Sequence, residues 1–296
     1  MDVDIITKYT DYLKAYRLAP STQKTYLCEF KAFRDFYPNE DLRYISRHKI
    51  ITYLARLYDL EYSDSKVNQA INSIKFYKEK ILGKKRDTYF LKRPRRKKFI
   101  PPILSQQKMF EIIDSVKNLK HRTLLYLVYI NGLRRGEIIN MKLVDVRSKA
   151  DKPHLIIRNA KHNSSRLLFM EEEIVAQIRF YFIKYKPKKY LFEGYTPGEP
   201  ISASTIARIL DKALKANGIT ERFRVHDLRH NFSTHCLLNG TSIYDLAYFL
   251  GHKSVETTEK YYAHLVPSDI RINRPQRPQA AIYSGRIISI NRKIRA

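Results

Sequence analysis

Residues 250–262 read LGHKSVETTEKYY, and residues 226–230, a little upstream, read HDLRH. Each polar stretch adjoins an apolar pattern with helical spacing: Ile243–Leu250, which ends at Gly251, and His226–Leu238, which ends at Asn239-Gly240. Glycine after the last periodic residue is a common helix stop, because it accepts a left-handed backbone. The region is therefore predicted to be helical, with its polar side chains at helix ends.

These polar side chains belong to residue types that can bind a phosphate group or react with it. His226 and Arg229 are three residues apart and lie on the same side of a helix. His252 directly follows the glycine stop, and a short helix that begins at Ser254 is predicted to carry Tyr261 and its neighbour Tyr262. A third stretch, GLRRGE at residues 132–137, places Arg134 just past another predicted helix end.

The sequence between these stretches predicts a mainly helical unit with a small β-hairpin. From Leu104 onward, Ser105 is predicted to cap a helix over Lys108–Val116, and Asn131-Gly132 ends an apolar helix over Thr123–Ile130. His154–Arg158 and Arg166–Met170 are short strand patterns around a polar turn and predict a hairpin. Two further helices are predicted over Glu172–Tyr185 and Ser204–Ala216.

The first ninety residues form a second, entirely helical pattern. Pro20 and Ser21 are predicted to stop one helix and cap the next, along which Tyr26, Phe30, Phe33 and Tyr37 recur at helical spacing. Further helices are expected over Arg47–Tyr58 and from Ser65 to a stop at Gly83. The aromatic residues are interpreted as core packing rather than as platforms for base stacking.

These patterns predict two domains: a helical domain over residues 1–91 and a larger domain with a hairpin over residues 104–266. A basic linker over 92–103 and a basic C-terminal tail over 267–296 complete the chain. The linker holds six cations around Pro94, which are predicted to lie on phosphates: Lys92, Arg93, Arg95, Arg96, Lys97 and Lys98. A solvated linker without a ligand is the alternative for such a charge run.

The composition narrows the class of partner. The chain has 296 residues, with 56 Lys and Arg against 29 Asp and Glu, giving a net charge of +27. Such an excess indicates a polyanion, and cations spread along the whole chain suit duplex DNA better than an anionic membrane surface. No apolar run is long enough for a membrane helix, and the N-terminus does not read as a signal peptide. With only two cysteines, a disulfide framework is excluded, and a cytoplasmic location with the nucleoid is expected.

Each polar residue also has an ordinary explanation. A histidine on a helix is commonly a satisfied surface or core residue, and an arginine after a helix end commonly interacts with the helix dipole. HDLRH also imitates the HExxH zinc helix, but Asp227 stands where that motif needs Glu, and Arg229 would repel a metal ion. No metal ion and no cofactor are predicted.

Taken together, the motifs resemble those of the tyrosine recombinase and integrase family, which includes Xer recombinases and phage and transposon integrases. The resemblance covers nearly the whole chain and implies a two-domain fold, with a SAM-like core-binding domain and a mixed α/β catalytic domain. The catalytic residues that it implies are Arg134, Lys161, His226, Arg229, His252 and Tyr261. Glu137 matches the usual partner of the first arginine. His162 follows Lys161 where many relatives have glycine, and Arg166 matches a later arginine of the same hairpin.

The resemblance implies site-specific recombination of DNA through a 3′-phosphotyrosyl intermediate, as in integration, excision or resolution. The implied partners are two double-stranded recombination sites bound by a homotetramer, with accessory DNA-bending or directionality proteins and no membrane. Arginine and histidine donors would stabilise the reacting phosphate, Tyr261 would attack it, and Lys161 would protonate the leaving oxygen. Two alternatives stay open: a type IB-like topoisomerase and a catalytically silent DNA-binding regulator.

Overall fold

The structure, a computed structural model, describes residues 2–84, 102–159, 164–251 and 273–276. The chain divides into two compact units, residues 1–99 and 100–296. Each unit has its own hydrophobic core. No helix in the described ranges combines the length and the apolar character that spanning a bilayer requires.

The first unit is helical throughout its described part. Its elements are α1 (Asp2–Ala15), α2 (Pro20–Phe36), α3 (Arg47–Asp59), α4 (Asp64–Phe76) and a π-helical turn over Tyr77–Ile81. Ser46 and Ser63 cap α3 and α4 by accepting hydrogen bonds from the backbone of Lys49 and Lys66. Gly83 follows the last turn with φ +68°, as expected for a glycine stop.

The aromatic residues of α2 pack inside this unit, which confirms the core-packing interpretation for Phe30 and Phe33. Both side chains are fully buried. Phe30 stacks on Tyr9 of α1, with ring centroids 4.1 Å apart. The Tyr9 hydroxyl lies 2.9 Å from the Ser73 hydroxyl on α4, so the polar tip of this buried tyrosine is satisfied. Three helices are thereby fixed around one aromatic cluster.

The second unit surrounds a larger core with helices and one small sheet. Its elements are α5 (Gln106–Asp114), α6 (Leu119–Ile130), α7 (Arg135–Asn140), a 3₁₀ turn (Leu143–Asp145), β1 (Val146–Arg147), β2 (His154–Asn159), β3 (Ser164–Phe169), α8 (Glu172–Tyr185), α9 (Ala203–Ala216), α10 (Val225–Leu238) and α11 (Ile243–Leu250). The fold class predicted from the sequence, mainly α with a small sheet in two domains, is confirmed.

The sheet has the order β1-β2-β3, with both pairs antiparallel. Leu155 pairs with Leu168, and Ile157 pairs with Arg166. Directly opposed residues share a face of an antiparallel sheet, so Arg166 projects from the same face as the fully buried Leu155 and Leu168. The hairpin thus places one arginine on its core-facing side.

Several predicted boundaries need correction. Ser21 does not cap α2, because the helix begins at Pro20 and its N-cap is Ala19, which makes no side-chain hydrogen bond. The helix predicted from Thr123 begins at Leu119, since the Asn118 side chain accepts a hydrogen bond from His121 N–H and caps it there. Met170 lies outside β3.

Three short elements were missed by the sequence analysis: α7, the 3₁₀ turn and β1. Each spans six residues or fewer, too few for a periodic pattern to appear. Other predictions are confirmed, namely the Ser105 cap, the Asn131-Gly132 stop, the hairpin and the bounds of α8 and α11.

The chain enters the second unit along α10. The Asn231 side chain accepts a hydrogen bond from Leu104 N–H at 2.8 Å and donates to Pro102 O at 3.0 Å. His235 Nε2 lies 2.9 Å from Leu104 O, and its Nδ1 lies 2.8 Å from the Tyr129 hydroxyl. A carbonyl only accepts, so Nε2 carries the proton and Nδ1 accepts from Tyr129. These bonds fix α10 between the entering chain segment and α6.

Candidate active site

The site begins at the turn between α6 and α7. Gly132 adopts φ +55°, and a Cβ there would stand 2.5 Å from the Phe232 ring, so the position needs glycine. The chain then turns into α7, and Glu137 reaches back to accept a hydrogen bond from Arg134 N–H at 2.8 Å. Arg134 Nη1 donates to Glu137 Oε1 at 2.9 Å. The turn therefore places an arginine and a glutamate together at a helix N-terminus.

Arg166 approaches the same carboxylate from β3. Its Nη1 and Nη2 donate to Glu137 Oε1 and Oε2, both at 2.9 Å. This is the parallel two-bond arrangement in which guanidinium and carboxylate bind most strongly. Arg229 Nη1 lies 4.0 Å from Glu137 Oε2 on the α10 side. Glu137 is thus surrounded by three guanidinium groups from α7, β3 and α10.

Two of these arginines also bind the carbonyls of neighbouring helix ends. Arg229 Nη1 donates to Gly132 O at 2.6 Å and Nη2 to Leu250 O at 2.9 Å. Arg134 Nη2 donates to Gly251 O at 3.3 Å. Cations at the last carbonyls of a helix satisfy free acceptors and interact favourably with the helix dipole. The ends of α6 and α11 are therefore tied to the arginine cluster.

The two candidate arginines differ in exposure. The Arg229 side chain is 4% exposed, and that of Arg134 is 35% exposed. Arg229 therefore acts from inside the protein, whereas Arg134 presents part of its guanidinium to solvent. An incoming phosphate would meet Arg134 first.

The cluster carries an excess of positive charge. Burial raises the pKa of Glu137. This effect is outweighed by the hydrogen bonds and charge of Arg166, by the hydrogen bond from the Arg134 backbone and by the charge of Arg229, so the pKa of Glu137 is lowered overall. Glu137 is therefore ionised at neutral pH. One carboxylate among three guanidiniums leaves a net charge of 3 − 1 = +2. Such a group attracts an anion with several oxygens, such as a phosphodiester.

His226 lies at the start of α10, exposed to solvent. Desolvation lowers its pKa, and the positive charges of Arg229, Arg224 and Arg134 lower it further, against the opposing effect of Asp227. The imidazole is therefore neutral at neutral pH and can accept a proton. His230, one helical turn further on, also has a lowered pKa because of desolvation.

The structure brings three of the predicted catalytic residues into one electrostatic neighbourhood: Arg134, His226 and Arg229. The other three, Lys161, His252 and Tyr261, lie outside the described residues, as do the six linker cations at 92–98. His252 directly follows Gly251 in the sequence, and the Gly251 carbonyl accepts a hydrogen bond from Arg134.

Two residues of the cluster are not among the predicted catalytic residues: Glu137 and Arg166. The sequence analysis assigned Glu137 only as the partner of Arg134, and Arg166 only as a match to an arginine of related hairpins. The i, i+3 spacing of Arg134 and Glu137 was the available signal for the first. For Arg166, the signal was a charge among the apolar residues of a half-buried strand. Over the described ranges, no group of three or more His, Cys, Asp or Glu could hold a metal ion.

Fold and site together define a two-unit protein with a positively charged cluster where two helix ends and a β-hairpin meet. Residues 103–268 match the Phage integrase family, and residues 5–88 match its N-terminal SAM-like domain. The chain therefore belongs to the phage integrase family of tyrosine recombinases and integrases.

Two curated relatives match most of the chain. The tyrosine recombinase XerA of Pyrococcus horikoshii is 28% identical over 262 residues, covering 87% of this chain and 88% of that protein. The tyrosine recombinase XerC of Halalkalibacterium halodurans is 26% identical over 298 residues, covering 93% and 97%.

Solved structures agree on the fold. The crystal structure of XerA recombinase matches with a TM-score of 0.51 at 26% identity, covering 90% of this chain and 99% of that one. A lambda integrase dimer bound to a COC′ core site matches with a TM-score of 0.70 at 17% identity, covering 92% and 80%. The second likeness concerns the fold alone.

Proposed function

We propose that this chain is a site-specific DNA recombinase that cuts and rejoins DNA through a 3′-phosphotyrosyl intermediate. The observation that carries the proposal is the group of three guanidiniums around Glu137, with a net charge of +2 beside a neutral His226. Family membership supplies the reaction class, and residues 103–268, the matched range, include all six candidate residues.

In the proposed cleavage step, the Tyr261 oxygen attacks the scissile phosphorus and the bond to the 5′ oxygen breaks. Arg134 and Arg229 stabilise the negative charge that builds on the non-bridging oxygens, together with a hydrogen bond from His252. Removing one such donor typically costs ~3–4 kcal/mol of transition-state stabilisation. His226 accepts the Tyr261 proton, as its lowered pKa allows. Lys161 gives a proton to the departing 5′ oxygen.

Religation is the same step in reverse, with a 5′ hydroxyl attacking the phosphotyrosine. The phosphodiester energy is kept in the protein–DNA bond, so no nucleotide cofactor enters. We propose that a homotetramer holds two duplex sites during exchange, that accessory DNA-bending or directionality proteins assist, and that the linker cations at 92–98 lie on phosphates. The enzyme would act on DNA in the cytoplasm.

Trapping the covalent adduct tests the proposal. Duplexes selected from a random pool by the full chain are nicked near the bound centre and incubated with wild-type, Tyr261→Phe and Tyr262→Phe proteins. We expect a detergent-resistant adduct with wild type and Tyr262→Phe, and none with Tyr261→Phe, because only the attacking oxygen is lost. Excess EDTA should leave the adduct intact, since arginines supply the positive charge. An adduct that persists in Tyr261→Phe, or that needs Mg²⁺, would contradict this mechanism.

The same assay separates the alternatives, neither of which gains support from the relatives reported above. A silent regulator would bind the selected duplex without forming an adduct. A type IB-like topoisomerase would form the adduct and relax supercoils on plasmids without paired sites. Recombinant products only from plasmids that carry two selected sites distinguish the proposed recombinase.

A further inference from the structure

Arg166 joins three separate parts of the site. Its side chain lies on the core-facing side of β3 and donates hydrogen bonds to both carboxylate oxygens of Glu137 in α7. It also lies against the backbone of Gly251 at the end of α11. A Cβ on Gly251 would lie 3.2 Å from both Cδ and Nη1 of Arg166. Gly251 also has φ +64°, so its backbone conformation and the arginine both favour glycine there.

The two hydrogen bonds from Arg166 to Glu137 limit how strongly Glu137 can bind the other two arginines. With both carboxylate oxygens held by Arg166, Glu137 takes a single 2.9 Å hydrogen bond from the Arg134 side chain and lies 4.0 Å from Arg229. Arg134 therefore keeps part of its guanidinium exposed toward solvent. If Arg166 were absent, Arg134 would be the nearest remaining guanidinium to the buried carboxylate, and its charge would be less available to a phosphate.

We infer that Arg166 is a positioning residue for DNA cleavage: by holding Glu137 with two bonds, it leaves part of the Arg134 guanidinium exposed to the reacting phosphate and fixes the hairpin and α11 around the site. Arg166 is 14% exposed, and the role that we infer for it requires no contact with DNA. The inference rests on the proposed function for its consequence, but the geometric role of Arg166 can be tested without any DNA.

The test uses the full chain with Arg166→Met, Arg166→Lys, Glu137→Gln and the double variant Arg166→Met/Glu137→Gln. Arg158→Met is the control. Arg158 lies on the neighbouring strand and pairs with a different buried carboxylate, that of Asp145, at 2.7 Å. Single-turnover cleavage is measured at saturating selected DNA, and DNA affinity is measured separately.

We expect Arg166→Met to lower the cleavage rate about 100-fold while DNA affinity changes less than about threefold, because positioning acts on the transition state. Arg166→Lys should recover only part of the rate, since a single ammonium cannot hold both oxygens of Glu137. The double variant should be no slower than the slower single variant, because both changes remove one interaction. Arg158→Met should cleave like wild type.

Hydrogen exchange at the Arg134 amide supplies the readout that needs no activity. That amide donates to Glu137 at 2.8 Å, so its protection reports whether Glu137 stays in place. Protection should fall in Arg166→Met and persist in Arg158→Met. Additive rate losses in the double variant, or unchanged protection in Arg166→Met, would overturn the inference. Wild-type protein that forms no adduct would instead refute the proposed function, and the exchange result would still decide the role of Arg166.

Discussion

Glu29 in the first unit and Glu137 in the second are both buried carboxylates beside cations, and the two arrangements differ in kind. In the first unit, Glu29 is 4% exposed and pairs with Lys66 at 2.6 Å, while its second oxygen has no hydrogen-bond partner among the residues that the structure describes. In the second unit, Glu137 is 8% exposed, and both its oxygens bind guanidinium groups. The first is a single pair with a flexible side chain, and the second is a rigid group of four charges.

The difference between these two carboxylates indicates which of them belongs to the candidate site. Lys66 is 31% exposed and can reach water if its partner is lost, so the pair in the first unit is a local tie between α2 and α4. The cluster in the second unit has more cations than its carboxylate can neutralise, so it is incomplete as a structural pair and suited to a further anion. Excess charge, rather than burial of charge, distinguishes the candidate active site from the pair in the first unit.

Neutralising each carboxylate without changing its shape should give the largest contrast. Glu137→Gln leaves three arginines around a neutral amide, two of them 14% exposed or less, and should lower the free energy of unfolding by about 3–5 kcal/mol. Glu29→Gln should cost about 1 kcal/mol or less, because Lys66 remains hydrated. Urea unfolding at neutral pH and low salt measures both values.

Phosphate sharpens this test. Added inorganic phosphate should restore part of the lost stability in Glu137→Gln, since a site with three cations and no carboxylate binds an anion only when folded. The Glu29→Gln variant should gain nothing beyond the effect seen in wild type. Equal losses in the two variants, with no rescue by phosphate, would remove the distinction between the two carboxylates.

The sequence predicted the fold class, the hairpin and most long helices, because these depend on periodic patterns and helix stops within one segment. The resemblance of its motifs to the tyrosine recombinase family also implied Arg134, His226 and Arg229 as site residues. It did not predict the role of Arg166, because the pairing of β3 with β2 and the approach of Gly251 are long-range events that no local pattern records. The short helix α7 was missed for the opposite reason, since six residues are too few for a period.

The two units also differ in how tightly a glycine turn is packed. Gly132→Ala should destabilise the second unit by about 2–4 kcal/mol, because alanine at φ +55° is strained and its Cβ would overlap Phe232 and Leu250. Gly83→Ala should cost about 1 kcal/mol, since φ is +68° but no atom of the described part of the chain lies within 4 Å of the added carbon. Thermal unfolding of the two variants measures the contrast, and equal shifts would show that packing at Gly132 is not limiting.

Acid should weaken the second unit through Glu137. Its pKa is lower in the folded than in the unfolded chain, so its contribution to stability is complete above the unfolded value of ~4.3 and is lost as pH falls through the folded pKa. The stability advantage of wild type over Glu137→Gln should therefore shrink as the pH falls below ~4. Unfolding followed from pH 7 to pH 3 tests this, and an advantage that stays constant over the whole range would contradict it.

The smallest expected effect concerns a helix end in the first unit. Ala19 is the N-cap of α2 and makes no side-chain hydrogen bond, whereas Ser63 caps α4 and Ser105, Ser202 and Ser242 cap helices of the second unit. Ala19 has φ −56° and ψ 142°, close to the backbone angles of those serines, so a serine there can accept a hydrogen bond from the first turn. Ala19→Ser should raise the free energy of unfolding by about 0.5–1 kcal/mol, and Ser63→Ala, the matched control, should lower it by a similar amount. Urea unfolding of the full chain gives both numbers. If Ala19→Ser gains nothing while Ser63→Ala loses stability, the start of α2 is held by Pro20 and its packing, and the missing cap is of no consequence.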